Sequence, residues 1–258
     1  MNIDRMEIGA PKLNDRLPLR ALWKEAFGDT DEFLDLFEQT AYSPKRSRRL
    51  TVDGQCAAAL YWFDCRCNGQ KIAYLYAIAT KRSYRGQGLC RALMEDTHEH
   101  LRKLGYAAAM LVPSEESLFG FYERLGYQRA TRISELTCDA AKEPVLLVRI
   151  GEEEYGRLRR KMLPSGGVLQ ENENLCYLSA QAEFYRGEGL LLAARKERDT
   201  LIGIELLGEA ELAPRIVRSF DMERGRFRIV GQTRDFSMIY PLNPPKTPKP
   251  TYFGLAFD

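Results

Sequence analysis

The stretch Tyr74–Gly88 constrains this chain most. It reads Tyr-Leu-Tyr-Ala-Ile-Ala-Thr-Lys-Arg-Ser-Tyr-Arg-Gly-Gln-Gly and runs directly into an amphipathic segment. The apolar and aromatic run Tyr74–Ala79 predicts a buried strand. Leu89, Ala92, Leu93, Leu101 and Leu104 form an apolar stripe at helical spacing, and Gly105 stands where a C-terminal cap belongs. A strand feeding a helix through a glycine-containing loop presents unpaired N–H groups and the positive end of a macrodipole. Gly86 and Gly88 remove side chains that would hold a bulky anion away, and Lys81, Arg82, Arg85 and Arg91 add positive charge. The pattern therefore predicts a phosphate-binding loop.

Two common phosphate motifs do not fit. The dinucleotide fingerprint needs a third glycine at position 91, which is Arg91, and the P-loop needs Gly-Lys-Ser/Thr where Gly88 is followed by Leu89 and Cys90. What remains, a strand, Arg-Gly-Gln-Gly-Leu-Cys and a helix, resembles the GNAT superfamily of N-acetyltransferases. The family pattern is Arg/Gln-x-x-Gly-x-Gly/Ala. Arg85 and Gly88 match it, and Cys90 departs from its final position. Ser114-Glu-Glu-Ser-Leu-Phe-Gly-Phe-Tyr-Glu-Arg-Leu-Gly-Tyr127 resembles the family's second signature at the expected separation. The resemblance spans roughly Leu13 to Thr137.

That resemblance implies acetyl-coenzyme A as cosubstrate. Its pyrophosphate would lie on the backbone of Arg85, Gly86, Gln87, Gly88, Leu89 and Cys90. Its pantetheine arm would pair with the main chain of Ile78, Ala79 and Thr80. Tyr122 aligns with the tyrosine that protonates the departing thiolate. Leu118, Phe121, Tyr122 and Leu125 also form a helical stripe, so core packing is the competing account of Tyr122. Glu115 replaces the asparagine often found seven residues before that tyrosine, leaving Ser114 or Ser117 to position pantetheine.

Fold class follows as α/β with a mixed sheet: an acyltransferase-like domain over residues 1–138 and a smaller α/β domain over 145–258. In the first, Leu19, Leu22, Trp23 and Ala26 predict a helix ending at Gly28. Thr30 caps a second, whose face is Phe33, Leu36, Phe37 and Thr40. Asp53-Gly54 and Asn68-Gly69 predict tight turns around a strand at Cys56–Asp64. A strand at Ala107–Val112, a short helix capped by Ser114 or Ser117 and closed by Gly126, and a strand near Gln128–Thr137 follow. The polar segment Asp139–Pro144 marks the boundary.

The second half predicts a helix at Glu152–Met162, a hairpin of Leu190–Arg195 and Leu201–Leu207, and a helix near Glu209–Ser219. Strands at Phe227–Val230 and Ser237–Tyr240 complete it. Its order echoes the first half, yet Glu209 and Glu211 would repel a phosphate after its hairpin. A degenerate cofactor-free repeat and an unrelated α/β lobe both fit. Pro241–Pro250 reads as extended. Tyr252, Phe253, Leu255 and Phe257 predict a buried terminus, with the Asp258 carboxylates a conceivable base for the acceptor amine.

Composition narrows the function classes. The 258 residues carry a net charge of +2, too little to argue for nucleic acid. The dense basic run Lys45, Arg46, Arg48 and Arg49 reads as a solvated loop. Met1–Ala10 lacks a signal-peptide core, and no apolar run reaches membrane-spanning length, so a cytoplasmic protein is expected. Six cysteines without a secretory leader suggest free thiols, and His98 and His100 cannot share a helix face, so no metal site is expected. The leading reading is acetyl transfer to a small-molecule or peptide amine. A non-catalytic acyl-coenzyme A sensor or partner-binding module is the alternative.

Overall fold

The computed structural model describes residues 6–257. Two compact units emerge. One gathers residues up to Asp64, Gln70–Leu111 and Tyr240–Thr247; the other gathers Cys65–Gly69, Val112–Ile239 and the tail from Pro248. The final strand of the sequence-defined first domain, Gln128–Asp139, thus groups with the second unit.

In the first unit the strands are β1 (Met6–Gly9), β2 (Ser47–Val52), β3 (Gln55–Cys67), β4 (Gln70–Thr80) and β5 (Ala108–Leu111), adjacent in that order. Both tight turns form as expected: Asp53 and Gly54, like Asn68 and Gly69, take left-handed conformations suited to two-residue hairpin loops. Helix α1 (Arg16–Phe27) buries Leu19, Leu22 and Trp23 and stops at Gly28, whose φ of 78° lets its N–H reach the Lys24 carbonyl at 3.0 Å. Helix α2 (Asp31–Thr40) starts at Thr30, whose hydroxyl accepts from the Phe33 N–H at 3.3 Å. Its buried positions are Leu34 and Phe37, one residue off the expected stripe because Leu36 stays only half covered.

These two helices cover one face of the sheet with an aromatic layer. The Trp23 ring lies 5.1 Å from Tyr61 and 4.8 Å from Phe37, and Phe63 stacks on Tyr74 at 5.9 Å. Trp62, one residue out of phase, donates instead to the Tyr106 hydroxyl at 3.1 Å. Helix α3 (Leu89–Lys103) buries Leu93, Met94 and Leu101.

The basic run is not the solvated loop its composition suggested. Arg49 sits on β2 with 2% of its side chain exposed, paired to Asp15 at 2.8 Å and Glu7 at 3.1 Å, and Arg48 pairs with Asp96. Local charge density could not reveal these carboxylates, which come from distant segments.

The second unit contains α4 (Ser117–Glu123), β6 (Gln128–Asp139), β7 (Val148–Ile150), α5 (Glu152–Met162), β8 (Leu169–Gln170), α6 (Glu173–Ser179), β9 (Glu183–Gly187), β10 (Leu190–Glu197), β11 (Thr200–Gly208), α7 (Ala213–Ser219), β12 (Arg224–Val230) and β13 (Arg234–Pro241). Its strands run β7–β9–β10–β11–β12–β6–β13, with β11 and β12 parallel. Neither expected serine caps α4; Glu116 occupies that position without a capping bond, while Ser117 bonds to Glu115. The polar stretch after α5 hides β8, α6 and β9. The proline segment is interrupted by a tight turn at Pro244–Lys246.

The tail is buried, as its aromatics require. Tyr252, Phe253, Leu255 and Ala256 are at most 3% exposed. The Tyr252 carbonyl accepts from the Val168 N–H at 2.8 Å, and the Gly254 carbonyl accepts from Arg228 at 2.8 Å. A Cβ at Gly254 would fall 1.9 Å from Glu205 Oε1, so only glycine fits. Asp258 lies outside the described residues. Beneath the tail, fully buried Arg159 grips Glu205 through two bonds of 2.6 and 2.9 Å, and the Tyr155 hydroxyl donates to the same carboxylate at 3.0 Å.

Two outcomes follow from these buried charges. Arg159→Met strands the Glu205 carboxylate and should cost about 3–5 kcal/mol in urea denaturation, whereas Arg159→Met with Glu205→Leu should recover most of it. His98, 4% exposed and stacked on Tyr240 at 4.0 Å, is held neutral by burial, with the Arg102 charge assisting, so its pKa falls to about 4. In the unfolded chain it titrates at its ordinary value of 6.5, so between pH 6.5 and 4 the unfolded state binds the extra proton. This contribution, about 3 kcal/mol, is present above pH 6.5 and lost as pH falls toward 4. His98→Phe should flatten that part of the stability profile.

Candidate active site

The sheet of the first unit opens at one place. Strands β4 and β5 pair in parallel at Ile72–Ala108, Ala73–Ala109 and Tyr74–Met110, and their ladder stops there, although β4 continues to Thr80. Three residues past the last pair, Ala77 takes φ of 48°. A left-handed residue in mid-strand reorients the peptides that follow, and for alanine it costs of order 1–2 kcal/mol. Ile78, Ala79 and Thr80 lie beyond the last β4–β5 pair, so β5 does not pair with their main chain. Ala79 is pinned against Leu19 and Leu22 of α1, so the opening has a fixed wall.

Beyond Thr80 the chain makes one tight turn at Arg82–Tyr84 and reaches Gly86 (φ 76°) and Gly88 (φ 79°). The Arg82 N–H donates to Glu25 at 2.6 Å, tying the turn to the end of α1. Arg85 folds back to donate to the Thr80 carbonyl at 3.1 Å, and Gln87 donates to the Ser83 carbonyl at 3.3 Å. These bonds brace the loop against the residues that precede it. Helix α3 begins at Leu89 with Gly88 as its N-cap, no side-chain cap and no acid in its first turn. A fifteen-residue helix is thus left with uncapped N–H groups and an uncompensated positive end. A Cβ at Gly86 or Gly88 would meet nothing within 4 Å, so the space over these amides is open.

Cys90 does not crowd the loop. Its thiol is half-buried against the Thr80 hydroxyl, and burial pushes its pKa up to about 11, so it stays a neutral thiol. Gly86, Gln87 and Gly88 are exposed, Leu89 and Cys90 half-buried, as a surface anion cradle requires. The uncapped helix start with its open glycines suits the pyrophosphate of a coenzyme A group. The freed strand end suits an amide-bearing arm such as pantetheine.

Tyr122 lies on α4 in the second unit, 8% exposed, edge-on to Tyr127 at 5.8 Å and to Phe121 at 5.2 Å. Its ring packs as the helical stripe suggested. Sequence reasoning missed the left-handed Ala77, because alanine carries no signal for positive φ. Among the described residues no three His, Cys, Asp or Glu side chains gather to hold a metal, and all six cysteines are free thiols. No helix among them is long and apolar enough to cross a membrane.

Residues 12–130 match the family described as "Acetyltransferase (GNAT) domain". A 71-residue stretch is 31% identical to a mouse protein named probable N-acetyltransferase family 8 member 5, covering 27% of this chain and 31% of that one. The chain therefore spans about a third of that relative's length. The fold resembles crystal structures of GCN5-related N-acetyltransferases from Kribbella flavida and Anabaena variabilis. The first has a TM-score of 0.73 at 15% identity, covering 94% of this chain and 72% of that one. The second has 0.73 at 14% identity, covering 93% and 74%. The match to the GNAT family thus covers residues 12–130, the part of the chain that holds the strand opening and the glycine loop.

Proposed function

We propose that the protein is an acetyl-coenzyme A-dependent N-acetyltransferase. The observation that carries this reading is the continuity of two backbone features, the β4 opening from Ala77 to Thr80 and the uncapped start of α3. An extended arm and a pyrophosphate belonging to one molecule need both on the same strand–loop–helix unit.

The backbone amides of Gly86, Gln87, Gly88, Leu89 and Cys90 hold the pyrophosphate, with Arg85 bracing the loop. The main chain of Ile78, Ala79 and Thr80 pairs with pantetheine, and an N–H at the opening polarises the acyl carbonyl. The cosubstrate supplies an activated thioester. A neutral acceptor amine nitrogen forms a bond to the acetyl carbon as the carbon–sulfur bond breaks and the electron pair leaves on sulfur, and the nitrogen gives up one of its protons to solvent. Tyr122 gives its phenolic proton to that thiolate and recovers one from solvent. The chemistry places no demand on a metal.

The second lobe reads as a degenerate copy of the first. The antiparallel pairs β7–β9, β9–β10 and β10–β11, followed by the parallel pair β11–β12 across α7, repeat the sequence of pairings through β1 to β5. Its cofactor loop is gone. A Cβ at Gly208 would lie 1.9 Å from the Gly189 carbonyl oxygen, so the turn is closed, and Glu209 follows it at once. One coenzyme A per chain is the expected stoichiometry.

Gly88→Val introduces a branched side chain at φ 79° over the open amides. It should weaken acetyl-coenzyme A binding at least tenfold in calorimetry while the domain stays folded; unchanged affinity would remove the loop from the site. Tyr122→Phe keeps the packed ring and removes the proton. Turnover measured by thiol release should fall on the order of tenfold or more, as loss of a general acid commonly gives 10²–10⁴, with KM for acetyl-coenzyme A held. Wild-type turnover in that variant would leave Tyr122 a packing residue only.

A further inference from the structure

The acceptor has to approach the same strand opening from its other side, and the residues there have a distinctive chemistry. Tyr76 immediately precedes the left-handed Ala77. It is the only tyrosine of β4 that keeps part of its surface open, since Tyr74 is 3% exposed. Its ring does not stand alone. It lies 5.6 Å from Phe63, 5.7 Å from Trp23 and 6.0 Å from Phe37. Those contacts fix it on the face of the sheet covered by α1 and α2, the face to which Ala79 also points.

From Tyr76 the aromatic layer continues outward through Trp23 to Phe27, 5.8 Å away and 47% exposed, and to half-buried Phe33 at 6.4 Å. Phe27 thereby carries the aromatic layer to the surface beside the glycine-capped end of α1. The end of α1 that carries Phe27 is the same end whose Glu25 holds the Arg82 N–H, so this aromatic edge borders the cofactor loop.

The charge beside the layer is also specific. The Asp29 carboxylate accepts from the Trp23 indole N–H at 2.7 Å, leaving its remaining lone pairs to solvent at the α1–α2 turn. The cations of this face, Arg16, Arg20 and Lys24, are already paired with Glu38, Asp35 and Asp31. A ligand arriving here meets aromatic faces and a carboxylate, with the nearby positive charges engaged.

Resting on the acetyltransferase reading above, we infer that the acceptor is a primary amine carrying an aromatic body, and that Tyr76 is a specificity-determining residue. The body packs on Tyr76 at the edge of the Trp23–Phe37–Phe63 layer. The amine, as an ammonium in solution, is drawn to the aromatic faces and Asp29, and loses its proton before it takes the acetyl group across the β4 opening. An aliphatic chain would gain less, because aromatic pairs add about 0.5–1.5 kcal/mol beyond buried area. Long polycationic acceptors would need several free carboxylates along this face, where Asp31, Asp35 and Glu38 of α2 are spent on Arg16, Arg20 and Lys24.

The test compares 2-phenylethylamine with n-butylamine and spermidine at fixed acetyl-coenzyme A, following thiol release, alongside calorimetry of acetyl-coenzyme A alone. Wild type should favour 2-phenylethylamine at least tenfold in kcat/KM. Tyr76→Ala should erase that preference through KM and leave acetyl-coenzyme A affinity unaltered, whereas Tyr76→Phe should retain the preference. Equal kcat/KM for the three amines, preference for spermidine, or no turnover of 2-phenylethylamine by protein that binds acetyl-coenzyme A would overturn the aromatic-acceptor inference. Failure to bind acetyl-coenzyme A would instead overturn the acetyltransferase reading on which it rests.

Discussion

Everything chemical in the first unit depends on where strand pairing stops. A parallel ladder satisfies main-chain groups along its length, and a strand paired on both edges has none to offer. Here β4 and β5 part after Tyr74–Met110, and Ala77, held at positive φ, turns the next peptides out of the ladder. That conformation is unfavourable for alanine and persists only because its surroundings hold it. Ala79 is packed under α1, and the Lys81 N–H is anchored to the Ala57 carbonyl at 2.8 Å. The opening is therefore rigid before any ligand arrives, which lowers the ordering cost of binding.

The second unit has a similar order of strand pairings without that opening. Ladder β11–β12 runs from Thr200–Arg224 to Leu206–Ile229, passing through a bulge instead of ending at it. The helix after β11 has seven residues against fifteen in α3, and its approach is acidic. A short helix behind a closed turn offers little to an anion. At the bulged stretch of β11 the Glu205 carboxylate is held by Arg159 and Tyr155 beneath the tail. Where the first unit exposes backbone, this stretch of the second buries charge.

Legibility in the sequence followed the type of physical signal. The hairpin turns, the Gly28 and Thr30 caps, the glycine loop and the boundaries of α5 were readable, since each rests on a residue whose conformational preference is local. The buried tail was readable because four large apolar side chains near a terminus need a core. Arg49, Arg159 and Glu205 were not, because a buried charge is defined by partners 34 to 46 positions away in the chain. Strands β8 and β9 and helix α6 escaped for a related reason: their short segments mix polar and apolar residues without a clean period, and tertiary packing decides them. The division into domains read from the polar segment Asp139–Pro144 followed chain order, whereas the compact units draw β6 to the later strands because it pairs with β12 from Asp139–Arg224 to Ile133–Val230.

The same distinction separates the two halves of the proposed chemistry. Cofactor binding through main-chain amides tolerates many side chains but requires glycines, and glycines can be read from a sequence. Acceptor recognition uses side chains that also serve the core. Trp23, Phe37, Phe63 and Tyr76 would be chosen for packing alone, and only their arrangement gives one of them an open face. What distinguishes Tyr76 from Tyr74 is two residues of position relative to the end of the β4–β5 ladder. Specificity at such a site arises where a core layer reaches the edge of a sheet opening, so a change in acceptor requires altering rings that also stabilise the fold.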